Sequence, residues 1–353
     1  MTTTLNTVAR ASVGAAQGTP WHRRLGVWLG VVAVGIAVSL PFLVSDYDLF
    51  NMSRVLALAI GVASLNLLVG YTGQLSIGHG AIFGIGGYAA VMCIARLGFP
   101  APLALLCAIV LCGAFGVLLG IPAIRMGGFN LGLLTIVVAA VFPLLLYRFS
   151  DFTGGQTGVP LPSSALASPF EGLTDAQWGF LVVLGLTLLV LAGLRVAVGG
   201  RVGRAMAAVR TNQILAVSSG VRIDRLKFST FVLSAAVAGF GGGLYALILG
   251  LAVPETYPVT LSMYLLMASV VGGSRSWVGS IIGAAFVVYL PTWTSQAIPG
   301  GGSPYIAQLA FAVVLGLCLI FAPRGLVGAV HSIAARARSI FTSAPPHTTQ
   351  ERN

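Results

Sequence analysis

The sequence predicts an all-α polytopic membrane protein of about ten transmembrane helices with both termini cytoplasmic, and three observations predict it. Only 8% of its 353 residues are charged, against about a quarter in an ordinary soluble domain, and its mean hydropathy is +0.96. Apolar runs at 25–44, 129–147, 178–198 and 228–251 reach the ~20 residues a helix needs to cross a bilayer. The few charges sort by sign onto opposite sides of the spans these runs define.

Taken in order, the expected spans are 25–44, 52–70, 80–97, 101–121, 129–147, 178–198, 228–251, 259–273, 276–291 and 305–322. The first follows Arg10, His22, Arg23 and Arg24. It is too long for a signal-peptide core and has no small-residue cleavage site, so it reads as a retained span. With the N-terminus inside, 16 of the 19 basic residues face the cytoplasm, the exceptions being Arg54, Arg96 and Arg148. Asp46, Asp48, Asp151, Glu171, Asp175 and Glu255 fall on the other side. Cytoplasmic excess of Lys and Arg is what orients helical membrane proteins, so the net charge of +11 reports topology rather than a nucleic-acid partner. The domain scheme is a cytoplasmic tail at 1–24, a transmembrane domain at 25–330 and a cytoplasmic tail at 331–353. The pair at 259–291 is short, and two spans or one broken span remain open.

Glycines four residues apart recur along the spans: Gly26/Gly30, Gly80/Gly84, Gly116/Gly120, Gly128/Gly132, Gly239/Gly243 and Gly279/Gly283. Small residues one turn apart let helices approach closely in lipid, so a tightly packed bundle is expected. Cys93, Cys107, Cys112 and Cys318 all lie in apolar runs without CxxC or Cys/His spacing, which makes them small core side chains rather than metal ligands or disulfides.

Three segments are not simply lipid-facing. "GYTGQLSIGHG", residues 70–80, is glycine-rich and polar inside a stretch, 55–95, that carries no Asp, Glu, Lys or Arg. Lipid offers the backbone no hydrogen bonds, so such a segment has to be covered by protein or line a watery cavity. Residues 150–177 form a long Pro-, Gly- and Ser-rich external loop. Residues 199–227 form a basic cytoplasmic loop whose centre, 203–219, reads as one amphipathic helix stopped by Gly220. Read alone, that helix rests most simply on a membrane surface.

The absent chemistry narrows the function. No Asp or Glu falls inside an expected span, although carriers coupled to protons or sodium keep ionisable groups there. His79 is a lone histidine, more plausibly structural than a proton relay, and Arg275 caps a short inside turn. There is no GxxxxGK[ST], and Lys227 is the only lysine, so the chain has no P-loop of its own. No catalytic Ser/His/Asp set or HExxH occurs. Energy for uphill transport has to come from another subunit, and no cofactor or metal is expected.

Five ordered segments between about 50 and 330 resemble the permease subunits of high-affinity branched-chain amino-acid ABC importers, the Liv family, and its LivM branch in particular. They are "NLLVGYTGQLSIGHGAIFGIGGYAA", "TGGQTG", "GRAMAAVRTNQILAVSSGVRIDRLK", "LMASVVGGSRSWVGSIIGAA" and "FAPRGLVG". The resemblance implies a type II-like importer in the bacterial cytoplasmic (inner) membrane. Two permease chains, the second LivH-like, would form the pathway, two cytoplasmic ABC ATPase subunits would power it, and an external solute-binding protein would deliver the substrate. It turns 203–220 into a coupling segment, with Gly203, Arg204, Ala205, Ala208, Arg210, Asn212, Ala216 and Gly220 as contact candidates. Thr153, Gly154, Gly155 and Gly158 form the external motif.

Tyr71, Thr72, Gly73, Gln74, Ser76, Gly78 and His79 are the translocation-path candidates, offering neutral hydrogen bonds to a passing zwitterion; the alternative is that the glycines of 70–80 serve only packing. The chain departs from the family at Val217 and Thr211, where acidic residues are common, and at Arg275 and Ser276, where small residues are usual. The expected cargo is a branched-chain or similar neutral amino acid. Urea, amides and carboxylates are also carried within the family, which largely inherits its specificity from the binding protein. The rival class is a self-sufficient carrier or channel for a small neutral solute.

Overall fold

A computed structural model describes residues 34–126, 128–162 and 166–297, with six scattered positions between 309 and 328. Most of the expected spans at 305–322 and 25–44, both tails, Gly26/Gly30 and Cys318 lie outside the described residues. The chain divides into two units, 1–49 and 50–353. In the first, a short 3-10 turn at Leu40–Phe42 leads to Ser45, which receives the Asp48 N–H at 3.3 Å and donates to its carboxylate at 2.7 Å. A serine accepting from the first turn, followed by Asp46 and Asp48, is how a helix N-terminus is commonly stabilised.

That helix, α1 (Asp46–Asn66), runs on into a π-helical turn, Leu67–Thr72. In the second unit it is followed by α2 (His79–Leu97), α3 (Ala101–Arg125), α4 (Gly128–Arg148) and the single-turn α5 (Ser150–Thr153). Strand β1 (Val159–Pro160) precedes α6 (Asp175–Ala197), α7 (Gly200–Thr211), α8 (Gln213–Ser218) and α9 (Ile223–Leu249). Strand β2 (Leu251–Ala252), α10 (Val259–Gly272) and α11 (Trp277–Ala297) complete the described part.

Among the described residues, six helical stretches are long and apolar enough to cross a membrane: Asp46–Thr72, His79–Leu97, Ala101–Arg125, Phe129–Arg148, Asp175–Ala197 and Ile223–Leu249. Most of an 18-residue apolar stretch of the first is buried (89%), whereas only a third (33%) of the corresponding stretch of α4 and of α6 is. Leu106, Val110, Leu118, Leu144 and Leu189 stand outward, well exposed. So much exposed aliphatic surface suits lipid rather than water.

Four of the six glycine pairs do the work their spacing predicts. Helix α9 crosses α2 and α3 through backbone contact: a Cβ on Gly86 would strike Gly239, one on Gly242 would strike the Phe83 carbonyl, and one on Gly239 would strike Cys112. Gly80/Gly84 face Ser262 and Tyr257, Gly116/Gly120 face Ala235 and Phe228, and Gly279/Gly283 face Gly272 and Ala268. Among the described cysteines, Cys112 is buried, with its Sγ 3.4 Å from the Ile82 carbonyl, and Cys93 and Cys107 are half-buried.

One local expectation is corrected. The segment 203–219 is not one helix. Asn212, at φ −156° and ψ 113°, ends α7 and caps α8, its Oδ1 accepting from Ile214 N at 2.9 Å and Leu215 N at 3.2 Å. A short amide side chain that satisfies free N–H groups favours such a break over helix continuation. Residues 259–291 form two helices joined by the turn 273–276. The 14 residues of α10 span only about 21 Å, short of the ~30 Å hydrocarbon core.

Candidate functional site

The break at 70–80 begins where α1 widens into its π turn. Gly70 lies so close to the Ser274 carbonyl that no side chain fits between them. Its own carbonyl accepts from two guanidinium groups, Arg210 Nη1 of α7 and Arg275 Nε of the 273–276 turn, the latter at 3.3 Å. Burial, and then the neighbouring charge of Arg275, pull the Arg210 pKa below its ordinary value; the group nonetheless stays protonated. Tyr71 stacks on Trp277 with centroids 5.4 Å apart and donates to the Arg275 carbonyl at 3.3 Å. The Gly70 backbone is thus the meeting point of three elements distant in sequence.

Beyond it the chain turns inward. Gly73 adopts φ +72°; Thr72 donates back to the Leu68 carbonyl at 2.9 Å. Gln74 is buried, and its Nε2 donates to Thr72 Oγ1 at 3.0 Å and to the Lys227 carbonyl at 3.4 Å, while its Oε1 has no partner among the described residues. Ile77 N donates to Thr135 Oγ1 at 2.9 Å, and Gly78 packs on the Thr135 carbonyl.

His79 then starts α2 at 1% exposure, held between two hydroxyls: Ser76 Oγ lies 2.9 Å from Nδ1 and Ser234 Oγ 2.8 Å from Nε2. Ser234 spends its one hydrogen on the Ser64 carbonyl, 2.5 Å away. It must therefore accept from His79, which places a hydrogen on Nε2; in the neutral imidazole Nδ1 then accepts from Ser76. Gly80 N, otherwise an orphan donor of the helix start, reaches Ser262 Oγ at 3.0 Å. Of the path candidates, Thr72, Gln74, Ser76, Gly78 and His79 are thus buried within the chain, Tyr71 is half-buried and Gly73 is exposed. The irregular backbone is covered by protein, one of the two conditions under which lipid depth tolerates it.

The 153–158 motif is built differently. Gly154, Gly155 and Gly158 all have positive φ, at +77°, +55° and +68°, a region that glycine alone enters at little cost. Thr153 Oγ1 donates to the Leu146 carbonyl at 2.6 Å and receives Gly155 N at 3.3 Å. The turn delivers β1 to β2, with Val159 opposite Ala252 and Pro160 opposite Leu251. Arg96 secures it, with Nη2 donating to the carbonyls of Asp151 (3.1 Å) and Phe152 (2.9 Å) and the guanidinium lying 5.3 Å from the Phe152 ring. Arg54 likewise has partners: Asn51 Oδ1 and Tyr245 OH, each at 3.3 Å. Two of the three arginines that break the charge rule therefore have specific contacts.

In 203–220 the candidates separate. Gly203 packs against its own Val198 carbonyl, and Ala216 is buried at 1%. Ala205 and Ala208 are half-buried, and Arg204, Asn212 and Gly220 are exposed, Gly220 at φ +80°. Arg210 reaches Gly70. None of Ile214, Leu215 and Val217 is among the contact candidates, yet they stand 82%, 64% and 59% exposed on α8. Three large apolar residues within four positions were the available signal, hidden by the assumption of one continuous helix. Among the described residues, no three His, Cys, Asp or Glu side chains come together as a metal site.

The profile of a family described as the permease component of the branched-chain amino acid transport system matches residues 49–323. The chain is 30% identical, over 317 residues, to the high-affinity branched-chain amino acid transport system permease protein LivM of Salmonella typhimurium, covering 83% of this chain and 72% of that one. The LivM protein of Escherichia coli K12 is 29% identical over 322 residues, 84% and 74% of the two chains. The LivH protein of Salmonella typhimurium is 26% identical over 318 residues, 82% and 98%. No solved structure matches.

Proposed function

The chain belongs to the permease family of branched-chain amino acid transport systems, and from that premise we propose that it is the LivM-like permease subunit of an ABC importer in a bacterial cytoplasmic membrane. Its cargo is a branched-chain or similar neutral amino acid. It works with a LivH-like second permease, two ATPase subunits bound at α7–α8, and an external binding protein delivering substrate on the side of the 153–158 turn.

The observation that carries this reading is the family match over residues 49–323; within the fold it is supported by the contact of Arg210 with the Gly70 carbonyl. It joins the one strongly basic inter-span segment directly to the break in the bundle. Movement of α7–α8 by an ATPase pulls on Gly70 through Arg210, while Arg275 holds the same carbonyl from the 273–276 turn. Tyr71, Thr72, Gln74, Ser76 and His79 then exchange hydrogen bonds near the path without presenting a charge that would trap a zwitterion. The exposed Ile214, Leu215 and Val217 supply the apolar anchor that a partner groove takes.

Leu215→Glu tests the docking. Loss of a buried apolar anchor costs about 2 kcal/mol, roughly 30-fold in affinity, so the ATPases should no longer co-purify while permease expression holds. Normal co-purification and uptake by Leu215→Glu would sink the docking assignment. The isolated chain should turn over no ATP, since it has no P-loop sequence; hydrolysis by purified permease alone would contradict that.

A further inference from the structure

Helices α3 and α4 stand apart on the floor formed by α2, leaving an outward-open cavity of about 820 Å³. A second one, about 520 Å³, adjoins it and shares Ile85, Phe142 and Phe152. The walls are almost wholly apolar side chains, with Leu106, Val110 and Leu111 well exposed at the outer lip. One cation stands in the lining, Arg96. Its contacts with the Asp151 and Phe152 carbonyls both use Nη2. Nε–H and both Nη1–H groups have no acceptor among the described residues.

We propose that this groove is a glycerophospholipid site, with an acyl chain lying between α3 and α4 on α2 and the lipid phosphate accepting hydrogen bonds from Arg96. The chemistry at each end decides the occupant. A long cleft of Leu, Val and Phe matches a hydrocarbon chain. A half-used guanidinium fork at its mouth matches a phosphate, which accepts from two N–H groups at once. A partner helix fits less well. Helix seams in lipid are built from small residues, and the described glycine seams face inward to other helices of this chain, whereas the groove lip carries branched side chains. The site also supplies a reason for Arg96 to sit on the side of the spans where cations are scarce. It rests on the membrane-spanning fold alone and not on the transport assignment.

The test uses the complete transporter in liposomes containing a trace phospholipid with a photoreactive group in its acyl chain, followed by mapping of the labelled peptides. Label should concentrate on residues 85–97 and 142–153, and unlabelled phospholipid should compete it away while glycerol phosphate does not. Ala114→Trp fills the groove from an exposed position and should abolish that labelling with expression unchanged. Arg96→Gln removes a charge-assisted contact and should weaken retention roughly tenfold, whereas Arg96→Lys keeps most of it. Even labelling along α3, α4 and α6 that ignores Ala114→Trp would mean annular lipid only and overturn the site. Competition by glycerol phosphate would overturn the seating of the acyl chain. A cross-link from Val110→Cys to the second permease would show a helix in the groove, and that too would overturn the proposal.

Discussion

The break at 70–80 and the turn at 153–158 are both rich in glycine, yet the first has a single left-handed residue, Gly73, while the second has three, Gly154, Gly155 and Gly158. In the turn, the backbone conformation is the structure, and one strand pair and one arginine hold it. In the break, the glycines make room for carbonyls, and the shape is held by exchangeable side-chain bonds: Arg210 and Arg275 on Gly70, Ser76 and Ser234 on His79. A segment locked by φ angles folds in one way. A segment held by neutral hydroxyls and two shared cations can trade partners. On the proposed reading, the turn is a folding device and the break a working one.

The comparison fails or sharpens on measurement. Gly158→Val forces a β-branched residue into positive φ and onto the Ala252 carbonyl, a cost of roughly 2–6 kcal/mol. It should remove most folded protein, read as loss of the monodisperse peak in size-exclusion chromatography. A Gly158→Val protein that folds normally but fails to transport would reverse the roles of the two segments.

Arg210→Ala should do the opposite. Removing a charged hydrogen bond of about 1.5–3 kcal/mol should cut uptake roughly tenfold or more at unchanged expression, with the ATPases still attached. An uptake rate equal to wild type would disconnect α7 from the break. Ser234→Ala is the smallest change. It strands the His79 Nε2–H and should cost about 1–2 kcal/mol, seen as a modest drop in melting temperature; no drop would mean that a water or another group takes the proton. Cysteines at Thr157 and Thr211, in a background lacking the native four, should label from opposite faces of the membrane. Labelling from one face would undo the sidedness on which both roles depend.

Much of this was legible in the sequence, for identifiable reasons. The positions of the six spans found among the described residues follow from apolar length, and the contacts of Gly80/Gly84, Gly116/Gly120, Gly239/Gly243 and Gly279/Gly283 follow from one-turn spacing. The capping box of Thr174 and Gln177 at the start of α6 is a local signature too, one that the expected span at 178–198 leaves out. What was not legible depends on contacts across the fold. Arg96 and Arg54 looked like violations of charge sorting because their partners, Asp151, Phe152 and Tyr245, are 55 or more residues away. Asn212 was read as a helix residue because nothing in the periodicity of 203–219 marks a cap. The joint hold of Arg210 and Arg275 on Gly70 is invisible in sequence, since a backbone carbonyl carries no residue signature.

The π-helical turn at Leu67–Thr72 has a mechanical meaning of its own. A π turn closes its hydrogen bonds over one residue more than an α turn, so α1 ends with one residue of slack wound into it. Rewinding that turn to α geometry would release the residue toward 73–78. Side chains beyond it would shift by about 1.5 Å along the axis and about 100° around it. Tyr71 would leave the face of Trp277, and the Gly70 carbonyl would swing away from both arginines, without any helix of the bundle having to melt.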